Sequence, residues 1–530
     1  MRRLTGLTLL AVAAGAIGVA QASAHVHAGS TLCVQRANPQ CYTALQAAVD
    51  AAHDGDTIKI GPGTFAGGVT ITKSVRVVGT RPGATTISGG GPVLTIGDPQ
   101  ATGEPTVSIE HITITGGETQ GGPVAMGGGI AIPSGADNAP GATVSLSDVV
   151  VTGNRVEPTQ TSDSPSGVIC PGGVDCPFAA AFGGGIFNTG ALTIRDSVIS
   201  DNLAGGVASD ADGAGIWSIG TLVIANSVIA HNSAVAGIPN GRFAEGGGLF
   251  VDGGSLSVRN SVVTGNSASL TSALPITNGT DVISMNANSG GIHVGDGIPT
   301  LIANTTISGN AVSAIDPQGE PLAFDSAMLV GDSPLTMRAT VITGNHVFEN
   351  VATSDDAGPG GSVLELDGGG TIKDTRISGN YSTVVSATGD ISVAGALAVF
   401  TFDDSPSLVT VENSVISGNT ATATSASGAA FVRGSGVFNN SLLTLRNSRV
   451  SDNTAVAKGA SGAAQGGGIW NGETATPPAK LTLQNTEVVR NSLAAGAGLL
   501  TQGGGLFTTR PVTLSRSTIA RNAPDQCFGC

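Results

Sequence analysis

Charge is scarce in this sequence. Asp, Glu, Lys and Arg make up 12% of its 530 residues, about half the share of an ordinary globular domain. Aromatics are rarer still at 3%, with two tryptophans and two tyrosines. Sugar-cleaving grooves want stacking platforms, so this scarcity argues against one. Basic residues are outnumbered 23 to 38. Phosphate binding needs a basic patch, so nucleic acid is excluded as a partner. After the first stretch no run of about 18 apolar residues occurs, and no transmembrane helix is expected.

That first stretch reads as an export signal. Arg2 and Arg3 lead, Leu4 to Ala20 is apolar, and Ala22-Ser23-Ala24 is a small-residue cleavage site. Residues 1–24 are therefore assigned to a signal peptide, and the protein to the outside of the cell or its surface. Six cysteines fall in three close pairs, Cys33/Cys41, Cys170/Cys176 and Cys527/Cys530. In an exported chain these read as local disulfides.

What is abundant is glycine, with 80 residues, and repetition. One phrase recurs: a short apolar strand, Asn or Asp with Ser or Thr, then Val-Ile-Ser-Gly-Asn or a variant. It closes at Asn154, Asn202, Asn232, Asn266, Asn310, Asn345, Asn380, Asn419, Asn453, Asn491 and Asn522. The polar opening residue, or its substitute, stands six positions before each closing Asn. A glycine-rich phrase ending in an apolar pair precedes most copies, as in Gly183-Gly184-Gly185-Ile186-Phe187 and Gly466-Gly467-Gly468-Ile469-Trp470.

A fixed phrase separated by variable insertions is the mark of a solenoid. The prediction is an all-β, right-handed parallel β-helix with three short strands per coil. Stacked coils about 4.8 Å apart bury inward Val, Ile and Leu continuously. The closing asparagines are assigned a structural role, as turn residues tolerant of φ > 0 that hydrogen-bond from coil to coil. Residues 25–56 form an N-terminal cap with a helix at 43–52, the β-helix spans 57–522, and 523–530 cap the far end. The chain is expected to be a monomer.

Two resemblances follow from these residues. Ile416-Ser417-Gly418-Asn419-Thr420-Ala421, with the recurring Gly-Gly-Gly-Ile, resembles the repeats of the polymorphic outer-membrane proteins. Leu45 to Val49, Gly55 to Ile58 and Pro62 to Phe65 resemble the cap and first coil of pectate-lyase-like β-helix proteins. The resemblance implies the fold and is weak for activity. The sequence stops at Cys530 after the last coil, so the outer-membrane barrel of the first group, and autotransport with it, is not expected. The Asn-Thr-Asp, Gly-His-Gly and Arg-Ile-Lys motifs of polygalacturonase-type enzymes do not occur.

Candidate sites remain. The paired aspartates Asp355/Asp356 and Asp403/Asp404 lie in loop-like stretches, as do Asp54/Asp56 and Asp210/Asp212. They read as solvated loop charge, with Ca²⁺ as the one cofactor they would suit. Seven positions before the closing Asn stand Arg195, Arg259, Arg338, Lys373 and Arg446. As an outward row on equivalent strands they would grip anionic polysaccharide. The function favoured is non-catalytic binding to carbohydrate or a cell surface through outward loops. The alternative is a polysaccharide lyase or glycoside hydrolase whose site the sequence does not display.

Overall fold

A computed structural model describes residues 29–530, apart from 159–178, 207–208, 238–241, 272–276, 279–280, 283–285, 317–321, 353–359, 403–404 and 473–477. The chain is a right-handed parallel β-helix with three strands around each coil of the tube. In the coil closing on Asn202 they are Ile186–Asn188, Ala191–Arg195 and Val198–Ser200. Each pairs in register with the next coil: Ile186 with Ile216, Leu192 with Leu222, Ile199 with Ile229. The first strands stack into a 14-stranded wall, and the second and third share a 27-stranded sheet.

Strand alternation sorts the side chains. Ile186, Leu192, Ile194 and Ile199 join one aliphatic core that runs through the tube. Arg195 points to solvent, as do Arg259, Arg338, Lys373 and Arg446 in register with it. Each fully buried aliphatic side chain contributes about 1.5–3 kcal/mol, and stacking makes that burial continuous.

The turns divide their labour. The opening residue takes the left-handed conformation, with φ of 51° at Asp196, 53° at Asn226 and 51° at Asn260. The closing asparagines do not, contrary to the sequence reading. The residue before each takes positive φ instead, as at Gly265, Gly309 and Gly344. This leaves the closing side chain free to turn its amide along the stack. The glycine phrase packs on that amide. A Cβ on Gly185 would stand 2.9 Å from Asn202 Nδ2, and one on Gly215 2.9 Å from Asn232 Nδ2. That close approach explains why the two phrases travel together.

The insertions hold more order than loops. After Asn202 a strand runs outward, Leu203–Gly206, and another returns, Ser209–Asp212. Outgoing strands stack into an 11-stranded sheet, and returning strands into sheets of six and four. The two layers enclose their own core, rich in alanine: Ala204, Ala211, Ala234 and Ala244 in one half, Ala421, Ala430 and Ala455 in the other. Small side chains let the layers approach closely. This flat body projects from the tube as a fin. The chain following Asn154, Asn266, Asn310 and Asn345 likewise enters it as strands.

The N-terminal helix is Leu45–Ala51, and it buries Leu45, Ala48 and Val49 over the first coil. Strand Thr31–Val34 precedes it and pairs with Thr57–Ile60. Cys33 and Cys41 are disulfide-bonded, as are Cys527 and Cys530. Cys170 and Cys176 lie outside the described residues. Among the described residues no helix is long and apolar enough to cross a membrane.

Candidate functional site: the crease between tube and fin

The outer faces of the returning fin sheet and of the 14-stranded wall pack side chains against each other along a crease. The second residue of each wall strand from Ile186–Asn188 to Leu506–Thr508 points into it. Down the stack these are Phe187, Trp217, Phe250, His293, Leu329, Glu365, Ala398, Phe438, Trp470 and Phe507. From the fin, residues alternating with the buried alanines face the same space, so Phe182, Asp212, Glu245 and Asn288 form a row in register.

Both ends of the crease are filled by rings. Phe187 stacks on Trp217 at 4.8 Å between centroids, and Trp217 is followed by Phe250 at 6.5 Å. At the far end Phe438 stacks on Trp470 at 4.7 Å, and Phe507 follows at 6.3 Å. The guanidinium of Arg433 lies 5.7 Å from the Trp470 ring centre. These rings are buried, so they are filling rather than open platforms. Both tryptophans of a ring-poor sequence are spent here.

The middle is filled by acids. Asp210 Oδ1 accepts the backbone N–H of Arg242 at 2.6 Å and of Phe243 at 3.1 Å. Asn288 Nδ2 donates to Glu245 Oε1 at 2.7 Å. His293 stacks on Phe250 at 4.7 Å. Further on, the fin's returning layer breaks between its two sheets, with Gly360 bridged to Val393. At that break Ser362 Oγ hydrogen-bonds both Asp325 and, at 2.8 Å, Glu365 Oε2, donating its single proton to one carboxyl and accepting from the protonated other. Asp367 completes a hydrogen-bonded carboxyl set with Glu365. Asp252, Asp296 and Asp332 stand at the solvent edge, and Asp332 N–H donates to Asp296 Oδ1 at 2.8 Å.

Burial changes the protonation of these groups. Desolvation, with the charges of neighbouring acids, pushes Asp367 up to about 9. Glu245 rises to about 7 and Asp210 to about 6, both chiefly by desolvation. Desolvation also raises Asp212, Asp325 and Glu365. It lowers His293 to about 4, so its ring is neutral near pH 7. With Asp367 protonated, Glu245 near its midpoint, Asp210 mostly ionised and the imidazole neutral, the crease can donate and accept protons at neutral pH.

The expectation of solvated loop charge fails at several positions. Asp210 and Asp212 lie on a fin strand and face the crease. Asp56 is buried and accepts the N–H groups of Ser30 and His53, tying the cap to the first coil. Asp54 accepts the N–H of Ser74. Asp355, Asp356, Asp403 and Asp404 lie outside the described residues. Among the described residues no set of three His, Cys, Asp or Glu side chains is placed to hold a metal ion.

The basic row stands on the 27-stranded sheet. Its members occupy one position: Arg195, Ala225, Arg259, Ala303, Arg338, Lys373, Glu412, Arg446 and Gln484 are successive partners. Lys373 pairs with Glu412 at 3.8 Å, and Arg446 Nε donates to Gln484 at 3.1 Å.

The asparagines from Asn154 to Asn522 form one buried ladder. Asn266 donates Nδ2 to Asn310 Oδ1 at 3.0 Å, its backbone N–H to the same oxygen at 3.0 Å, and Nδ2 again to Ile229 O at 3.0 Å.

No family model matches the chain, and no curated protein matches it. Among solved structures it is similar to the A-module of the mannuronan C-5 epimerase AlgE6 of Azotobacter vinelandii. Identity there is 16%, the match covers 85% of this chain and 94% of that one, and the TM-score is 0.36. It is also similar to the catalytic domain of a GH87 alpha-1,3-glucanase, at 10% identity over 93% of this chain and 70% of that one, with a TM-score of 0.30.

Proposed function

We propose that this protein is a glycoside hydrolase whose crease carboxyls cleave a polysaccharide lying along the tube. The observation that carries this reading is the carboxyl set Asp325, Glu365 and Asp367, held by Ser362 at the break in the fin. Hydrolysis needs one carboxyl that keeps its proton at neutral pH and another that activates water. Asp367, held protonated by desolvation and its acidic neighbours, suits the first role. The solvent-facing Asp296 and Asp332, whose charges act on Asp367, suit the second.

Release of reducing ends from a polysaccharide panel tests this. Asp367→Asn removes the proton donor and keeps the shape. It is expected to lower release by about 100-fold or more, the usual contribution of a general acid, with an unchanged circular dichroism spectrum. Wild-type activity retained by Asp367→Asn and by Glu365→Gln would remove the assignment.

A second reading rests on the in-register basic row. Arg195, Arg259, Arg338, Lys373 and Arg446 would bind anionic wall polymers without cleaving them. Reversing the charge of Arg259, Arg338 and Lys373 should then abolish retention on uronate gels, and unchanged retention ends that reading.

A further inference from the structure

The crease is filled by its own side chains, so a sugar chain meets its acids from the solvent edge. That edge is the corner where the chain leaves the wall for the 27-stranded sheet. Asp296 and Asp332 stand there, each after the glycine that follows a wall strand, and both are exposed. Asp367 occupies the same corner one coil on and is partly exposed, whereas Glu365 is buried.

Beside these acids one coil lacks side chains. After Asp367 the chain runs Gly368-Gly369-Gly370. Gly370 stands in register between Leu335 and Val409, so Gly369 falls between Pro334 and Leu408. A Cβ on Gly369 would lie 3.3 Å from the carbonyl oxygen of Leu408. With nothing on that coil to cover it, Leu408 is 62% exposed, and Pro334 across the gap is exposed as well. The two stand two coils apart, about 10 Å along the stack. Between them is a cavity of about 410 Å³ that Asp332 also lines. That volume falls in the ordinary range of small-molecule sites, about 300–1,000 Å³.

A lone exposed leucine would mean little. Here the lining is graded from apolar to acidic. Leu408 and Pro334 supply facing apolar surfaces over a glycine floor. Thr371 and Thr410, partners in register on the adjoining strands, turn their side chains outward into the same space. Asp332 brings a carboxyl at the rim, and its charge acts on Asp367. A pyranose ring has the matching character, with C–H groups on its faces and hydroxyls around its edge. Few apolar surfaces with convergent polar groups are what such a ring requires.

We infer that this depression is a sugar-binding subsite, in which a ring lies between Pro334 and Leu408 with its hydroxyls on Thr371, Thr410 and Asp332. The inference rests on the hydrolase reading and deepens it. It gives the substrate an accessible seat at the corner, beside the carboxyls to which that reading assigns cleavage. The buried oxygens deeper in the crease then need not touch sugar at all.

Isothermal titration calorimetry of the full-length protein tests this with hexasaccharides of cellulose, laminarin, amylose, xylan, chitosan and polygalacturonate. At least one is expected to bind. For that one, Leu408→Ser should weaken binding about tenfold or more, the worth of an apolar contact in a pocket. Thr371→Val with Thr410→Val should weaken it by about tenfold through lost hydrogen bonds. Thr482→Val, in the same outward column but beyond the depression, should keep wild-type affinity. All these side chains face outward, and unchanged circular dichroism checks that the fold is kept.

Unaltered binding by Leu408→Ser, or a loss at Thr482 equal to that at Thr371 and Thr410, would overturn the subsite. So would the failure of every hexasaccharide to bind. In each case the hydrolase reading is judged separately by the Asp367→Asn assay. Binding that depends on Leu408, without release of reducing ends from the same polymer, would keep the sugar site and end the hydrolase reading.

Discussion

Two polar stacks run along this molecule on opposite terms. The asparagine ladder repeats at each coil, and its amides meet donor with acceptor down the line. The crease acids share the same stacking but not the same satisfaction, for several of their oxygens meet nothing. Both are buried in a chain with little charge to spend. A ladder complete in itself specifies the fold, because any slip of register breaks its bonds. A stack left incomplete costs stability and stays poised for something brought from outside.

The largest expected effect comes from breaking the ladder. Asn310→Ala would strand the N–H of Asn266, take one of the two acceptors of its amide, and leave the carbonyl of Val263 without the Asn310 amide. At about 1–3 kcal/mol for each buried group left unmet, the loss should reach about 4 kcal/mol in urea unfolding. Glu245→Gln, at an equally stacked position, should cost less than about 1 kcal/mol or stabilise, because it removes a buried acid. Equal losses at the two positions would erase the distinction between the stacks.

A second contrast is in pH. The folded pKa values of Glu245, Asp210 and Asp367 lie above their unfolded values. The folded state then holds protons that the unfolded state releases, so stability is fully present below about pH 4. It falls as pH rises through about 6, 7 and 9. His293 opposes this between about 4 and 6.5, where its lowered pKa makes stability rise with pH. The acids outnumber it, so the melting temperature should decline from acid to alkaline pH. Glu245→Gln should flatten that decline between about 4 and 7, and the Asn310→Ala slope should match the wild type. A melting temperature that rises across this range would mean the acids are not desolvated.

The ladder was legible in the sequence because it repeats. One residue type at one spacing through eleven closings leaves few alternatives. The fin was half legible: its position between phrases was visible, but its strands vary in length and lean on alanine, which carries little strand signal. The crease was illegible as a site because its acids come from strands and turns of successive coils, each at a place that repeats no motif. A signal was nonetheless present. The residue ending the glycine phrase's apolar pair is Phe187, Phe250, Trp470 or Phe507 in the clearest copies. Read down the stack, that column puts His293 and Glu365 where rings belong. The polar residues in that aromatic column mark the acidic middle of the crease.

The smallest effect would sharpen the comparison by mending the ladder's exposed counterpart. The opening residues form a second, solvent-facing row, in which Asn304 Nδ2 donates to Asn260 at 3.2 Å and Asn413 Nδ2 to Asp374 at 3.2 Å. Between Asn304 and Asp374 stands Ala339, with φ of 49° and no side-chain amide to extend the row. An L-residue with a bare Cβ is strained there, whereas Asn tolerates the conformation by bonding locally. Ala339→Asn should therefore raise stability by about 0.5–1 kcal/mol, seen as a small rise in the urea midpoint at unchanged slope. Ala339→Gly relieves the strain without supplying the amide. If the two gain equally, the row contributes only its backbone conformation. If Asn gains more, hydrogen bonding between neighbouring turns stabilises the exposed stack as it does the buried one. In that case the difference between ladder and crease lies in completeness, not in exposure.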